Sequence, residues 1–452
     1  MKLVKHRVVE GIAVVVLAAP PLNALEQPVR AQLIDLLDAL QARDDVGAIC
    51  MTGEGVGFSA GLDLSDPAEK ETNPTMRELC AAVANCRVPV VVGLRGAVMG
   101  RGVALALAAH HRLAEQKTTL ALPEVSIGQI PLGGTTQRLA RLAGADGAMS
   151  LMLGGRPVSA SAAMERRIVD GIVSSNVQAA AYEMCKRLIE EGASPRRTSE
   201  LRDGFADGIG YMQAIATRRQ ELGKGLVAPV RIVDCVEAAA VLPFDVGCDY
   251  EEERLLECRK NPQAAALRHI FLAERQTNSK LTALDPETNR RTLKKSGEMV
   301  ARALLTAQGQ AGAAMVAGGL TEEQIDGALV SAGYRRTPFG GTTASHASLA
   351  PEVTRKLIAA FMGAGARLLE DGTIEEPAAV DAISVQTGLM PRQTGGPMHA
   401  ARAMGLLRLR NDMRKWSETA NVWDVPPLLD EAVKYAKGFD APEVLGADVS
   451  PD

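Results

Sequence analysis

Apolar positions in the first 140 residues recur at two spacings. Ile12–Leu17, residues 46–52 and residues 88–92 are short β-branched runs, each followed by a turn bearing glycine or proline, and they predict strands. Between the first two, Gln27–Gln41 places Val29, Leu33, Leu36, Leu37 and Leu40 at helical spacing, with Pro28 where the first turn of a helix tolerates it. Alternation of this kind predicts an α/β layer arrangement. From about residue 179 the strand pattern fades. Residues 182–191, 206–221, 250–277, 291–317, 352–369 and 377–387 read as helices, with glycine or proline at the breaks. The polar segment 276–289, with Pro286, is the linker candidate, and small polar residues at 342–351 mark a second boundary. A weak repeat is visible in the last third: a long amphipathic helix, an acidic turn (319–323, then 370–376), a short helix and a Gly/Pro-rich turn, twice over.

A chain of 452 residues has room for about three domains and a sizeable core without metals or disulfides. The 50 Lys plus Arg against 54 Asp plus Glu leave a net charge of −4, so nucleic acid is not an expected partner. Aromatics make up only 3 % of a chain that is 46 % hydrophobic with 43 glycines, a composition for close-packed helices and tight turns rather than base stacking. Seven cysteines, an odd number with no C-x-x-C pair, read as reduced thiols and predict a cytoplasmic protein. The apolar run at 12–19 is short and ends in a proline turn, so it reads as a first strand rather than a signal peptide. No stretch has the length to span a bilayer, and no membrane partner is expected.

Three segments put glycine where backbone amides would be exposed. Phe58-Ser59-Ala60-Gly61-Leu62-Asp63-Leu64 leaves a strand through small residues, and Gly96-Ala97-Val98-Met99-Gly100-Arg101-Gly102 passes from strand to helix. Two N–H groups converging at a helix start suit an oxyanion such as a thioester enolate, because the dipoles are fixed before charge develops. Taken singly, each is an ordinary tight turn. The third, Leu122-Pro123-Glu124-Val125-Ser126-Ile127-Gly128, leads into Ile130-Pro131-Leu132-Gly133-Gly134-Thr135-Thr136-Gln137-Arg138-Leu139.

This set, in this order and spacing, resembles the crotonase (enoyl-CoA hydratase/isomerase) family over residues 10–185 or so. The resemblance implies an α/β crotonase-like ββα spiral in residues 1–190, an acyl-CoA thioester as substrate, and oxyanion donors at the amides of Leu62 and Arg101. It places Ser59, Ala60, Gly61, Asp63, Gly100 and Leu132 around the substrate. Of the family's two catalytic carboxylates, one falls on Glu124 and the other on Ala104, whose methyl group has no acid/base chemistry. The family's usual glycine is Arg101 at the second donor and Leu132 after the Ile-Pro turn. Adding water to a conjugated C=C bond calls for two carboxyl groups, whereas moving a double bond from position 3 to 2 needs one base and an oxyanion hole. Δ3-Δ2-enoyl-CoA isomerisation with Glu124 as the base is the expected activity. The apolar neighbours of Glu124 favour a raised pKa.

Residues 251–276, the turn Gly333-Tyr334-Arg335-Arg336-Thr337-Pro338-Phe339-Gly340 and the run Gly388-Leu389-Met390-Pro391-Arg392-Gln393-Thr394-Gly395-Gly396-Pro397-Met398 resemble the linker helix and the all-α 3-hydroxyacyl-CoA dehydrogenase C-terminal domains of peroxisomal-type multifunctional β-oxidation enzymes. The G-x-G-x-x-G turn and histidine of a dinucleotide-binding domain do not occur between them, so NAD-dependent oxidation is not expected. The expected organisation is a crotonase-like domain (1–190), a helical extension with a linker helix (191–290), and two helical dehydrogenase-C-like domains (291–345 and 346–452). No cofactor beyond substrate CoA and no metal is expected, and a monomer or small homo-oligomer is. Two alternatives stand: a hydratase, hydrolase or retro-aldol lyase on an unusual acyl-CoA, and a non-catalytic acyl-CoA-binding or partner subunit. His110 and His111 lack a partner at metal-ligand spacing and read as structural.

Overall fold

The β-branched runs pair as their patterning requires. In the computed structural model, which describes residues 2–60, 73–222, 225–284, 291–435 and 438–439, the first half holds strands β1 (Val4–Val9), β2 (Ile12–Leu17), β3 (Ala48–Gly53), β4 (Val90–Leu94), β5 (Ala97–Met99), β6 (His111–Glu115), β7 (Thr119–Ala121), β8 (Val158–Ser159) and β9 (Gly171–Val173). They form a six-stranded sheet in the order β1-β2-β3-β4-β6-β9 and a three-stranded sheet in the order β5-β7-β8. β1 and β2 make an antiparallel hairpin, and from β2 onward the neighbours in the large sheet run parallel. A parallel strand covered on both faces reads as a continuous apolar run, and β2 shows why. Its Ala13, Val15 and Leu17 enter the main core while Ile12 and Val14 pack with Ala181, Cys185 and Leu188 on the other face.

Helices α1 (Gln27–Gln41), α2 (Met76–Ala84), α3 (Arg101–Ala108), α4 (Thr135–Gly154), α5 (Ala160–Glu165) and α6 (Val177–Glu190) cover these sheets. α1 has the predicted bounds and buries Val29, Leu33, Leu37 and Leu40, the stripe its periodicity marks out. α7 (Gly208–Glu221), α8 (Val227–Val241) and α9 (Phe244–Lys260) complete a first unit, Met1–Asn261.

The second unit, Pro262–Asp452, is helical. It contains α10 (Pro262–Leu281), α11 (Lys295–Ala317), α12 (Glu322–Ser331), α13 (Ala350–Glu370), α14 (Pro377–Gln386), α15 (Pro397–Met404), α16 (Leu406–Ser417) and α17 (Pro427–Lys434). A short antiparallel hairpin, β10 (Thr282–Leu284) with β11 (Arg291–Leu293), precedes α11. The repeat seen in sequence is present as a 23-residue helix followed by a 10-residue helix, then one of 21 followed by one of 10. Both pairs feed one core, which includes Val300, Leu304, Ile325, Leu357, Phe361 and Ile383, so the turn at 342–351 lies within a single unit.

Segment 191–290, expected to be one extension, contributes to both units. The helix expected over 251–276 is two helices, because Pro262 has no N–H and its ring clashes with the preceding turn, which ends α9 at Lys260. The linker candidate 276–289 begins inside α10, and its residues 285–289, with Pro286, lie outside the described residues.

Candidate active site

The site is built where β5 turns into α3. Gly100 sits at the N-cap with φ 53° and ψ −115°, a backbone that side chains disfavour. The first helical bond runs from the Ala104 amide to the Gly100 carbonyl at 3.0 Å, so the N–H groups of Arg101, Gly102 and Val103 precede the ladder at the positive end of the helix. The chain at Ser59 lies across this helix start. A Cβ on Gly102 would stand 2.2 Å from the Ser59 carbonyl oxygen, and the Met99 amide donates to that oxygen at 3.2 Å.

Asn23, which sequence reasoning missed, holds this crossing in place. It is 2 % exposed, has φ 53°, and its side-chain amide donates to the carbonyls of Glu54, Gly57 and Phe58 at 2.8, 3.0 and 3.2 Å. Its side-chain oxygen accepts from the Ala19 amide and its main-chain oxygen from the Ser59 hydroxyl. The available signal was an asparagine in a proline turn, since asparagine tolerates the left-handed region and its side chain completes turns.

Glu124 comes from the 3-10 turn Pro123–Ile127 that follows β7, and only 8 % of it is exposed. That burial rules out a solvated loop carboxylate. A Cβ on Gly100 would lie 3.0 Å from Glu124 Oε1, so the carboxylate rests against the start of α3 and needs glycine there. One turn along α3 is Ala104, 2 % exposed, a buried methyl where the resemblance puts a second carboxylate. The Arg101 side chain is also buried, with Nη1 3.9 Å from Oε2 of the half-exposed Glu26.

The structure thus brings Ser59, Gly100, Arg101 and Glu124 to one corner, with Ala60 next in the chain and tied to the Leu22 carbonyl at 2.9 Å. Leu132, 8 % exposed, lies in the turn between the Glu124 segment and α4. Gly61, Leu62 and Asp63, and with them the first expected oxyanion donor, lie outside the described residues.

Glu251 on α9 is the second residue missed. Only 1 % exposed, it accepts from the Gly134 amide at 2.7 Å through Oε1, and from the Thr136 amide and hydroxyl at 2.8 and 2.6 Å through Oε2. Burial pushes its pKa up to about 7 against the pull of these donors and of Arg138. In sequence it is one of three consecutive glutamates, and nothing there marks which one is buried.

His110 is structural, as expected. Its Nδ1 accepts from the Val90 amide at 2.9 Å and its Nε2 donates to the Ala84 carbonyl at 3.1 Å, while burial pushes its pKa down to about 4. Among the described residues no group of three His, Cys, Asp or Glu side chains could hold a metal ion. All seven cysteines are buried and none is in a disulfide. No helix of the described residues is long and apolar enough to cross a membrane.

The family described as enoyl-CoA hydratase/isomerase matches residues 7–223. The first unit carries a crotonase domain. The chain is similar to the peroxisomal bifunctional enzyme of Danio rerio, 34 % identical over 266 residues, covering 59 % of this chain and 37 % of that one. It is similar also to the fatty acid oxidation complex subunit alpha of Shewanella amazonensis, 29 % identical, covering 61 % and 42 %. Similarity to the glyoxysomal fatty acid beta-oxidation multifunctional protein of Cucumis sativus, 28 % identical, covers 72 % of this chain and 44 % of that one, reaching beyond the crotonase domain into the helical unit. The chain spans about two fifths of the length of these curated relatives. Among solved structures, an enoyl-CoA hydratase from Mycobacterium avium subsp. paratuberculosis matches 60 % of this chain and 96 % of its own, at 21 % identity and a TM-score of 0.45. The second unit, helical among its described residues apart from the β10-β11 hairpin, fits the dehydrogenase C-terminal domains that the sequence resembles.

Proposed function

We propose that the crotonase domain isomerises a 3-enoyl-CoA to the 2-enoyl-CoA with Glu124 as its single acid/base group. The observation that carries this reading is the buried Glu124 carboxylate resting against the N-terminus of α3, with the methyl of Ala104 one turn further on. Glu124 removes the proton from the α carbon, charge moves onto the thioester oxygen, and the amides of Arg101 and Leu62 hold it there. The same carboxyl returns the proton to the γ carbon, and the double bond ends in conjugation with the thioester. Neither step consumes water, so the second carboxylate that a hydratase uses to activate water is dispensable. CoA enters as the substrate's handle, and no resident cofactor takes part.

The test is an assay of wild type and Glu124→Gln with 3-enoyl-CoA and 2-enoyl-CoA, products separated chromatographically. The expected result is interconversion without 3-hydroxyacyl-CoA, lowered in the variant by about 10²- to 10⁴-fold. Accumulation of 3-hydroxyacyl-CoA would instead establish a hydratase that draws its second group from elsewhere, and an unimpaired variant would remove Glu124 from the chemistry.

A further inference from the structure

We propose that Glu251 is a positioning residue for the active-site turn 130–136, fixing the entry into α4 and, through it, the backbone that carries Glu124. The inference rests on the reading of Glu124 given above.

The carboxylate arrives from more than a hundred residues further along the chain, yet it bonds main-chain groups of the turn itself. The amides of Gly134 and Thr136 point at its two oxygens, and the Thr136 hydroxyl adds a third donor. Bonds to backbone amides specify where the chain runs, which a side-chain contact would not. The turn has few other restraints of its own. Gly133 and Gly134 both have φ 76°, and the local clasps are the Thr135 hydroxyl donating to the Leu132 carbonyl at 2.6 Å and Arg138 Nη1 donating to the Gly133 carbonyl at 3.3 Å. Packing closes it on two sides. A Cβ on Gly133 would meet Cys80 Sγ of α2 at 3.2 Å, and one on Gly134 would meet Cys248 Sγ of α9 at 3.0 Å.

From this clamp the chain runs back to Glu124 with little slack. The Gln129 amide donates to the Glu124 carbonyl at 3.0 Å, leaving only residues 130–133 between that bond and the clamp. The far end of α4 touches the same 3-10 turn, because a Cβ on Gly155 would lie 3.0 Å from Val125 Cγ1 and 3.2 Å from Ser126 Oγ. Because α4 breaks at Gly144 (φ 71°, ψ −177°), a shift of the helix entry reaches the catalytic carboxylate through residues 130–133. The chemistry also explains why a carboxylate is used. Two backbone donors on opposite oxygens require two acceptors, and a glutamine would turn an N–H₂ toward one of them.

The experiment compares kcat and KM for 3-enoyl-CoA in wild type, Glu251→Gln and Thr136→Val, with melting temperatures measured alongside. Misplacement of a reacting group by about 1 Å costs on the order of a hundredfold. Glu251→Gln is expected to lower kcat by about ten- to a hundredfold while KM stays within about twofold. Thr136→Val, which removes one donor and keeps the carboxylate, falls between it and wild type. A Glu251→Gln enzyme that melts earlier but keeps the wild-type kcat would overturn the proposal and leave the isomerase reading intact. Should that variant fail to fold, an unchanged kcat in Thr136→Val would overturn it equally. A wild type without turnover of any enoyl-CoA would overturn the isomerase reading and this inference together.

Discussion

Replacing Gly102 by alanine puts the two halves of the site in direct conflict. The added Cβ would stand 2.2 Å from the Ser59 carbonyl oxygen, 2.9 Å from its carbonyl carbon and 3.0 Å from its Cβ. Contacts under 3.0 Å are essentially never seen for a real Cβ, so the crossing must open by about 0.8 Å, the gap between 2.2 and 3.0 Å. The obstacle is backbone, so no rotamer relieves it, and the Ser59 segment is anchored by Asn23. Overpacking of this kind costs about 1–3 kcal/mol, while exchanging glycine for alanine in a helix returns up to about 1 kcal/mol. A net loss of about 1–2 kcal/mol is expected in urea denaturation of the first unit. Because Gly102 follows the proposed oxyanion donor Arg101, a displacement approaching 1 Å should also lower kcat by about a hundredfold. Propensity alone predicts the opposite sign for stability. A Gly102→Ala protein that is more stable than wild type with an unchanged rate would refute the close-crossing argument.

Other expectations follow from single positions. Gly309, exposed inside α11 with nothing within 4 Å of an added Cβ, is the contrasting case, and Gly309→Ala should stabilise the helical unit by about 0.5–1 kcal/mol in thermal or urea unfolding. His110 is held neutral by burial, with its pKa near 4 when folded against 6.5 as the reference value. The native state therefore binds fewer protons than the unfolded chain across that window, and the His110 contribution to stability rises with pH by about 2 kcal/mol between pH 5 and 7. The check is the stability difference between wild type and His110→Gln at the two pH values. Glu251, raised to about 7, contributes the opposite trend, and it cancels in that difference. A difference that stays flat with pH would contradict a buried neutral imidazole.

How much was legible in the sequence depended on how local the cause was. α1 and β2 could be read to the residue because each repeats one apolar spacing from end to end. β1 carries no such signal: in Val-Lys-His-Arg-Val-Val the polar residues face solvent on an edge strand, and pairing with β2 makes it a strand. The joint at Pro262 was obscured by helical patterning on both sides, and a single proline was its only mark. Glu124, Gly100 and Arg101 were assigned through the resemblance to the crotonase family, which is carried by glycine-bearing segments whose order and spacing are written in residue type. Asn23 works through backbone carbonyls and Glu251 through backbone amides far along the chain, and a backbone partner leaves no trace in the sequence that it belongs to.

The separation of the cores bears on how the protein is made. Among the described residues, every member of the first unit's two cores lies at or before Cys258, and every member of the second unit's core lies at or after Leu281. A ribosome working from the N-terminus therefore releases everything the first fold buries before the second fold has any of its interior. The early half has no need to wait with its apolar strands uncovered, and a message cut short after residue 261 would still encode one full interior.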